Sequence, residues 1–308
     1  MDATETDDAA HVRALGVFGT LLPRARCCGR ARRRGVTLRG RVLAIAGSDS
    51  GGGAGIQADI KAISAMGAYA ATAVTAVTAQ NTLGVQGVIA VPASFVALQV
   101  ASVLDDIGAD AVKTGMLAGR DTIEAVAAAL RAWRARGCAA PLVLDPVMVA
   151  KGGQALLAPD AVAALLEALL PHAAVVTPNL PEAEVLTGEA VADVAGMHRA
   201  AERLLRLGAA AVLLKGGHLP GEVLTDLLAT PAGTQVFEQA RVATRHTHGT
   251  GCTLASAVAA GLAQGMTLSA AVERARAYVR AAIESAPGFG TGHGPLDHLV
   301  WAARAGGV

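Results

Sequence analysis

Alternation constrains this chain more than any other feature. From Val42 onward, short apolar runs give way in turn to segments with helical spacing. Val42 to Ala46 reads as a short buried strand, and Ala54 to Met66 as a helix with Ile56, Ile60 and Ile63 on one face. The Thr- and Val-rich "YAATAVTAVTAQ" predicts a second strand, and "PASFVALQVASVLDDIG", opening on Pro, predicts a helix. The series continues with "DAVKTGM" as a strand, Asp121 to Arg136 as a helix, "PLVLDPVM" as a strand, Pro159 to Leu170 as a helix and "AAVVTPN" as a strand. Val194 to Leu207 is then a helix and "AAVLLKGG" a strand; "EVLTDLLAT" and "QVFEQARVAT" form an antiparallel pair around "PAG". Two helices close the chain, from about Gly251 to Ala263 and from Ser269 to Ser285. Such alternation predicts an α/β domain, a mostly parallel sheet covered by helices on both faces. A composition of 53% apolar but only 3% aromatic residues suits that layered packing.

No linker or repeat interrupts residues 42–308, which are expected to form one domain. Residues 1–41 differ: they hold nine Arg against four Asp and Glu. A basic arm for nucleic acid or a membrane surface is one reading. Lack of helical periodicity favours the other, a disordered basic extension or an upstream stretch translated from a misjudged start. The rest of the chain has 17 Lys and Arg against 21 Asp and Glu, so no nucleic-acid partner is expected. No apolar run reaches the roughly 18 residues of a membrane helix, so no membrane partner is expected either. Cys27, Cys28, Cys138 and Cys252 show neither metal-ligand nor disulfide spacing, which points to a reducing cytoplasm.

Three stretches carry chemistry. "GSDSGGGAGIQAD", Gly47 to Asp59, packs five glycines into thirteen residues directly after the first strand. A trypsin-like serine site is excluded, because such a serine sits late in an all-β chain, after its His and Asp. A dinucleotide fingerprint is excluded too, because Ile56 stands where its third glycine should be, and no P-loop pattern occurs. What remains is a glycine-lined turn that a flat ligand or a phosphate could approach, or a tight turn needing left-handed backbone. In "THGTGCTLASAVAAGLA", Gly249 and Gly251 precede a helical run whose first N–H groups, with that of Cys252, could bind an anion. A plain N-cap by Thr250 is the alternative. The same helix terminus should favour the Cys252 thiolate. In "TPNLPEAEVLTG", Asn179 and Glu182 have capping-box spacing, and could equally hold Mg²⁺-bound water. Lys215 and Asp145 end two strands, where open α/β sheets bind ligands.

Taken in order, "AGSDSGGGAGIQADIKAISAMGAYAATAVTAVTAQNT", "VLDPVMVAKGG", "TPNLPEAEVLTG", "LLKGGH" and "THGTGCTLASA" resemble the bacterial hydroxymethylpyrimidine kinase / phosphomethylpyrimidine kinase family of thiamine biosynthesis. The resemblance spans about Val42 to Leu299. It implies a ribokinase-like three-layer α/β/α sandwich with a mostly parallel central sheet. It also implies two successive phosphoryl transfers from ATP, with Mg²⁺, to 4-amino-5-hydroxymethyl-2-methylpyrimidine and then to its monophosphate. By the family pattern Gly47, Asp59, Gln80 and Met116 surround the pyrimidine. Asn179, Lys215 and Asp145 lie on the ATP side, with Glu182 and Asp145 toward the metal. Gly249, Gly251 and Cys252 form the catalytic anion hole, with Cys252 where most ribokinase-like sugar kinases carry an Asp base. Relatives are commonly homodimers. The alternatives are a pyridoxal kinase, against which Gln80 argues because a side-chain amide pairs with an aminopyrimidine edge, and a non-catalytic pyrimidine-phosphate sensor.

Overall fold

The protein, described by a computed structural model over residues 39–148, 157 and 159–301, is built on one nine-stranded sheet. The described elements run β1 (Arg41–Asp49), α1 (Gly55–Ala65), β2 (Tyr69–Asn81), β3 (Gly84–Ala90), α2 (Ala93–Asp106), β4 (Ala111–Thr114) and α3 (Arg120–Arg134). They continue with β5 (Leu142–Leu144), α4 (Pro159–Ala168), β6 (Val175–Val176), α5 (Leu180–Thr187), α6 (Val194–Arg206) and β7 (Val212–Leu214). The antiparallel pair β8 (Val223–Thr230) and β9 (Gly233–Ala240) and the helices α7 (Thr250–Ala263) and α8 (Leu268–Glu284) complete the fold. Strand order is β3-β2-β1-β4-β5-β6-β7-β8-β9; β2, β1 and β4 to β7 are parallel, with antiparallel strands at both ends.

Alternate residues of each strand feed two apolar layers. Leu43, Ile45, Leu142 and Leu144 join α2 to α6 on one face. Val42, Ala44, Ala111 and Val143 join α1, α7 and α8 on the other. The architecture is the expected ribokinase-like α/β sandwich. Because the inner strands are parallel, their C-terminal ends share one edge of the sheet, and the loops leaving that edge carry the polar residues.

Four local differences from the sequence reading have physical reasons. β1 begins at Arg41, which lies within the stretch assigned to the basic extension; its backbone N–H and guanidinium both bond Asp110, at 2.9 Å and 2.8 Å. β3 was not expected, because its Gly84 and Gly87 and its exposed Val88 and Ile89 mask the alternation of an edge strand. β5, β6 and β7 are only two or three residues long, since the polar ends of those segments turn out of the sheet into loops. On α1, Ile60 is exposed and Asp59 takes the inward position.

An ion pair explains that last exchange. Lys113 on β4 and Asp59 on α1 are both 0% exposed and meet at 2.7 Å. Ser256 on α7 donates a second hydrogen bond to the same Asp59 oxygen, also at 2.7 Å. Burial alone would strip the proton from Lys113, but the Asp59 carboxylate outweighs it and holds the amine above its ordinary range. Burial pushes Asp59 itself upward against the pull of Lys113. The short contact and the Ser256 hydroxyl favour the ionised pair. A half-removed buried pair is costly because it strands the surviving charge. Lys113→Met alone should therefore destabilise the fold by about 3–5 kcal/mol, and Lys113→Met with Asp59→Leu should recover most of that loss. Urea denaturation of the three proteins checks this; an undamaged single variant would show that the pair is not charged.

Candidate active site

The first glycine-rich stretch folds onto its own carboxylate. Asp49, at the end of β1, accepts hydrogen bonds from the N–H groups of Gly51 at 2.8 Å, Gly53 at 3.1 Å and Ala54 at 2.8 Å. The turn is then closed by contact. Gly55 sits at φ +55°, and a Cβ there would lie 2.3 Å from the Gly47 carbonyl oxygen. A Cβ on Gly53 would come within 2.5 Å of the His248 ring. Much of the glycine content thus serves close packing of protein on protein, rather than open backbone for a ligand.

The second glycine stretch docks on the first. Gly249 is left-handed at φ +80°, and a Cβ on it would lie 1.8 Å from the Gly53 carbonyl oxygen. Beside it, His248 Nε2 lies 2.8 Å from Asp49 Oδ2. Gly249 is the residue preceding α7, and no side chain caps that helix; Thr250 Oγ1 instead donates to the Thr247 carbonyl at 2.7 Å. The Thr250 N–H turns back to the Thr247 carbonyl at 3.4 Å, which leaves the N–H groups of Gly251 and Cys252 for a ligand, at the positive end of a 14-residue helix. A Cβ on Gly251 would lie 3.2 Å from Lys215 Nζ, so the helix terminus and the lysine face one spot.

Lys215 follows β7 and is paired on its inner side. Its Nζ lies 3.1 Å from Asp145 Oδ1 and 3.9 Å from Glu182 Oε2. Burial alone would lower its pKa, but the Asp145 and Glu182 carboxylates more than offset it and keep the amine protonated. Glu182 goes the other way: burial pushes its carboxyl up to about 7, against the pull of Lys215. Asn179 and Glu182 form a true capping box, with both bonds at 2.8 Å. Asn179 thus commits its Oδ1 to the helix and has only its NH₂ left for a ligand. Asp145 Oδ1 also accepts from Thr177 at 3.0 Å, while its buried Oδ2 has no partner among the described residues. An orphaned carboxylate oxygen beside a second carboxylate fits a Mg²⁺ that arrives on phosphates. The described residues offer no group of three or more His, Cys, Asp or Glu ligands, so a cage is not what they fit.

On the opposite side of the glycine loops, Gly47 and Met116 come together: a Cβ on Gly47 would lie 3.0 Å from Met116 Sδ. Gln80, near the end of β2, reaches the Asp49–His248 pair, with its Nε2 3.3 Å from His248 Nε2. Asp59 does not join this open face; it lies beneath it in the Lys113 pair. Asp49, His248, Lys113 and Ser256 were not anticipated as members of the site. Asp49 and His248 were visible only as residues inside the two glycine motifs, and nothing in sequence joins Lys113 to Asp59.

Cys252 departs from expectation. The residue is half-buried, yet its thiol is enclosed, and burial pushes it up to about 11 against the pull of nearby Lys113 and the Gly55 N–H. Burial outweighs the helix terminus, so the resting group is a thiol, not a thiolate.

Comparison with known proteins bears on this geometry. The phosphomethylpyrimidine kinase family matches residues 49–297. The hydroxymethylpyrimidine/phosphomethylpyrimidine kinase of Rhizobium meliloti is 54% identical over 260 residues, 83% of this chain and 96% of that one. The thiamine biosynthesis bifunctional protein ThiED of Geobacter sulfurreducens is 52% identical over 270 residues; the match covers 88% of this chain but only about half, 54%, of that longer protein. Among solved structures, an ADP complex of Bacillus subtilis pyridoxal kinase superposes with a TM-score of 0.79 at 38% identity, covering 86% of this chain and 99% of that one. A phosphomethylpyrimidine kinase from Clostridium difficile gives 0.70 at 41% identity, covering 79% and 99%.

The state of Cys252 is directly measurable. Alkylation by iodoacetamide at pH 7.5, followed on its own peptide by mass spectrometry, should run roughly 10²-fold slower than for a free cysteine. The rate should still be climbing at pH 10. A plateau by pH 8 would mean that a thiolate is already present.

Proposed function

The chain belongs to the phosphomethylpyrimidine kinase family, and from that premise we propose that it phosphorylates 4-amino-5-hydroxymethyl-2-methylpyrimidine with ATP and then phosphorylates the monophosphate to the diphosphate, in thiamine biosynthesis. The observation that carries the reading is the meeting of the uncapped α7 N-terminus with Lys215, which gathers positive charge at one point. Phosphoryl transfer has a loose transition state, and positioning and electrostatics supply most of its catalysis. Backbone N–H groups at the α7 terminus, those of Gly251 and Cys252 first, and the Lys215 ammonium would meet the charge on the transferred group and the leaving oxygen. Glu182 and Asp145 would hold Mg²⁺, which supplies charge neutralisation on the ATP phosphates. Asn179 would add its NH₂ on the ATP side. Gly47, Met116 and Gln80 would frame the pyrimidine, with Asp59 supporting the floor through Lys113. Cys252 would act as base only after giving up its own proton, so the role runs through a minor thiolate form; bond formation acidifies the hydroxymethyl late and keeps the demand on that base small.

Several finer features complete the proposal. ATP use favours a cytoplasmic enzyme, and no described helix is long and apolar enough to cross a membrane. The family match begins at residue 49, which favours residues 1–38 lying outside the catalytic machinery. A homodimer would cover Val77 on β2 and its cross-strand partner Ile89 on β3, an exposed apolar pair beside the free edge; sedimentation velocity finding only monomer at micromolar concentration would reject it.

The enzyme assay counts phosphates on the pyrimidine product. Excess ATP should drive it to the diphosphate, and pyridoxal should be turned over far more slowly; arrest at the monophosphate would reject the second transfer, and preference for pyridoxal would favour the pyridoxal kinase reading suggested by the structural similarity. Cys252→Ala should lower kcat by about 10²–10⁴-fold with little change in ATP affinity, because the backbone cradle survives. Wild-type kcat in that variant would show that the thiol only packs.

A further inference from the structure

Gln80 is held on two sides. Its Oε1 lies 3.2 Å from Thr78 Oγ1, and its Nε2 lies 3.3 Å from His248 Nε2. A half-turn of the terminal amide exchanges these two atoms, so the protons on the neighbours decide which arrangement is stable.

Thr78 has a single hydroxyl proton. The Ser48 carbonyl, 2.9 Å away, can only accept, and so takes it. Thr78 Oγ1 therefore faces Gln80 as an acceptor. On the other side, His248 Nε2 stands 2.8 Å from Asp49 Oδ2. Burial alone would push the Asp49 carboxyl up, but the His248 contact and the N–H groups of Ala54 and Gly51 more than offset it, and the group lies below its ordinary range. An ionised carboxylate can only accept, so His248 Nε2 carries a proton and donates it in the hydrogen bond to Asp49; it then has no lone pair to accept a Gln80 N–H, and the positive flank of its N–H suits the amide oxygen. Both neighbours demand the same half-turned arrangement, with the amide NH₂ toward Thr78 and the C=O toward His248.

We propose that Thr78 on one side and the Asp49–His248 pair on the other lock the Gln80 amide in this single orientation, and that the lock makes Thr78 and His248 specificity-determining positioning residues. The amide has one N–H and one carbonyl lone pair left at its tip. The N–H lies on the Thr78 side and the lone pair on the His248 side. A heterocycle carrying an amino group next to an unprotonated ring nitrogen satisfies both, with its amino group toward His248. The oxo counterpart of that ring, a carbonyl beside a ring N–H, has donor and acceptor exchanged and would meet like with like. The inference rests on the aminopyrimidine reading of the site and explains how a group that could present either edge presents one.

The test is ligand binding without ATP. Calorimetry would compare 4-amino-5-hydroxymethyl-2-methylpyrimidine with its 4-oxo counterpart on wild type, Thr78→Val and His248→Phe. Wild type should prefer the amino ring by roughly 10²-fold or more, as sites built around buried hydrogen bonds do. Either variant frees the amide to turn, and the preference should fall at least tenfold, with affinity for the oxo ring rising. Thr78→Val preserves side-chain shape, so the question remains answerable if the histidine variant folds poorly. A wild type that binds the amino ring, with variants that weaken both ligands in parallel at an unchanged ratio, overturns the proposal alone. A wild type that binds neither ring overturns the substrate reading, and this inference with it.

Discussion

The contact between Asp49 and His248 joins two segments far apart in the sequence. At 2.8 Å it pins the turn after the first strand to the residue before Gly249, and the backbones at Gly53 and Gly249 close up beside it. The helix terminus and the Gln80 wall both lie beside that junction. It sets where the α7 N-terminus points, and hence what Lys215 faces. It also sets the wall against which Gln80 rests. A parallel sheet brings strand ends to one edge, but only in outline; the Asp49–His248 junction fixes the Gln80 side against the α7 terminus.

Beneath the junction, electrostatics are arranged in two tiers. Lys113 is fully enclosed and committed to Asp59. Lys215 is slightly open and shared between Asp145 and Glu182. The lower lysine serves the fold and tunes Cys252 from a distance. The upper one has charge to offer, because its acidic partners are also the groups suited to a metal. This division explains why Asp59 is buried without reaching the open face.

The architecture was largely legible from periodicity, because most strands and helices have cores that repeat at the right interval. Ile60 shows the limit. Spacing alone places it inward with Ile56 and Ile63, but a carboxylate one position earlier wins the buried place because Lys113, 54 residues on, is there to meet it. β3 escaped for a different reason, since an edge strand with glycines and outward apolar residues has no alternation to read. Gly249, Gly251, Lys215, Asp145 and Glu182, expected from motifs and strand ends, lie close together in space. Asp49, His248 and Thr78 were not found, because their roles exist only as hydrogen bonds between distant segments. The Cys252 expectation erred by weighing the helix terminus without the enclosure around the sulfur.

The pairing of Gly53 with Gly249 also bears on the order of events during synthesis. The strands β1, β2 and β4 can find one another early, and Lys113 can meet Asp59 as soon as the first third of the chain is free. The Asp49–His248 bond spans 199 residues and the Ser256–Asp59 bond 197. At roughly 5–20 residues per second, a nascent chain waits about ten seconds or more between translating the two glycine segments. During that interval the first turn has no partner for its Gly53 carbonyl, and the sheet lacks α7 over one face. The site thus forms late, and a truncated or stalled chain can hold a well-formed half-sheet with no capacity to transfer a phosphoryl group.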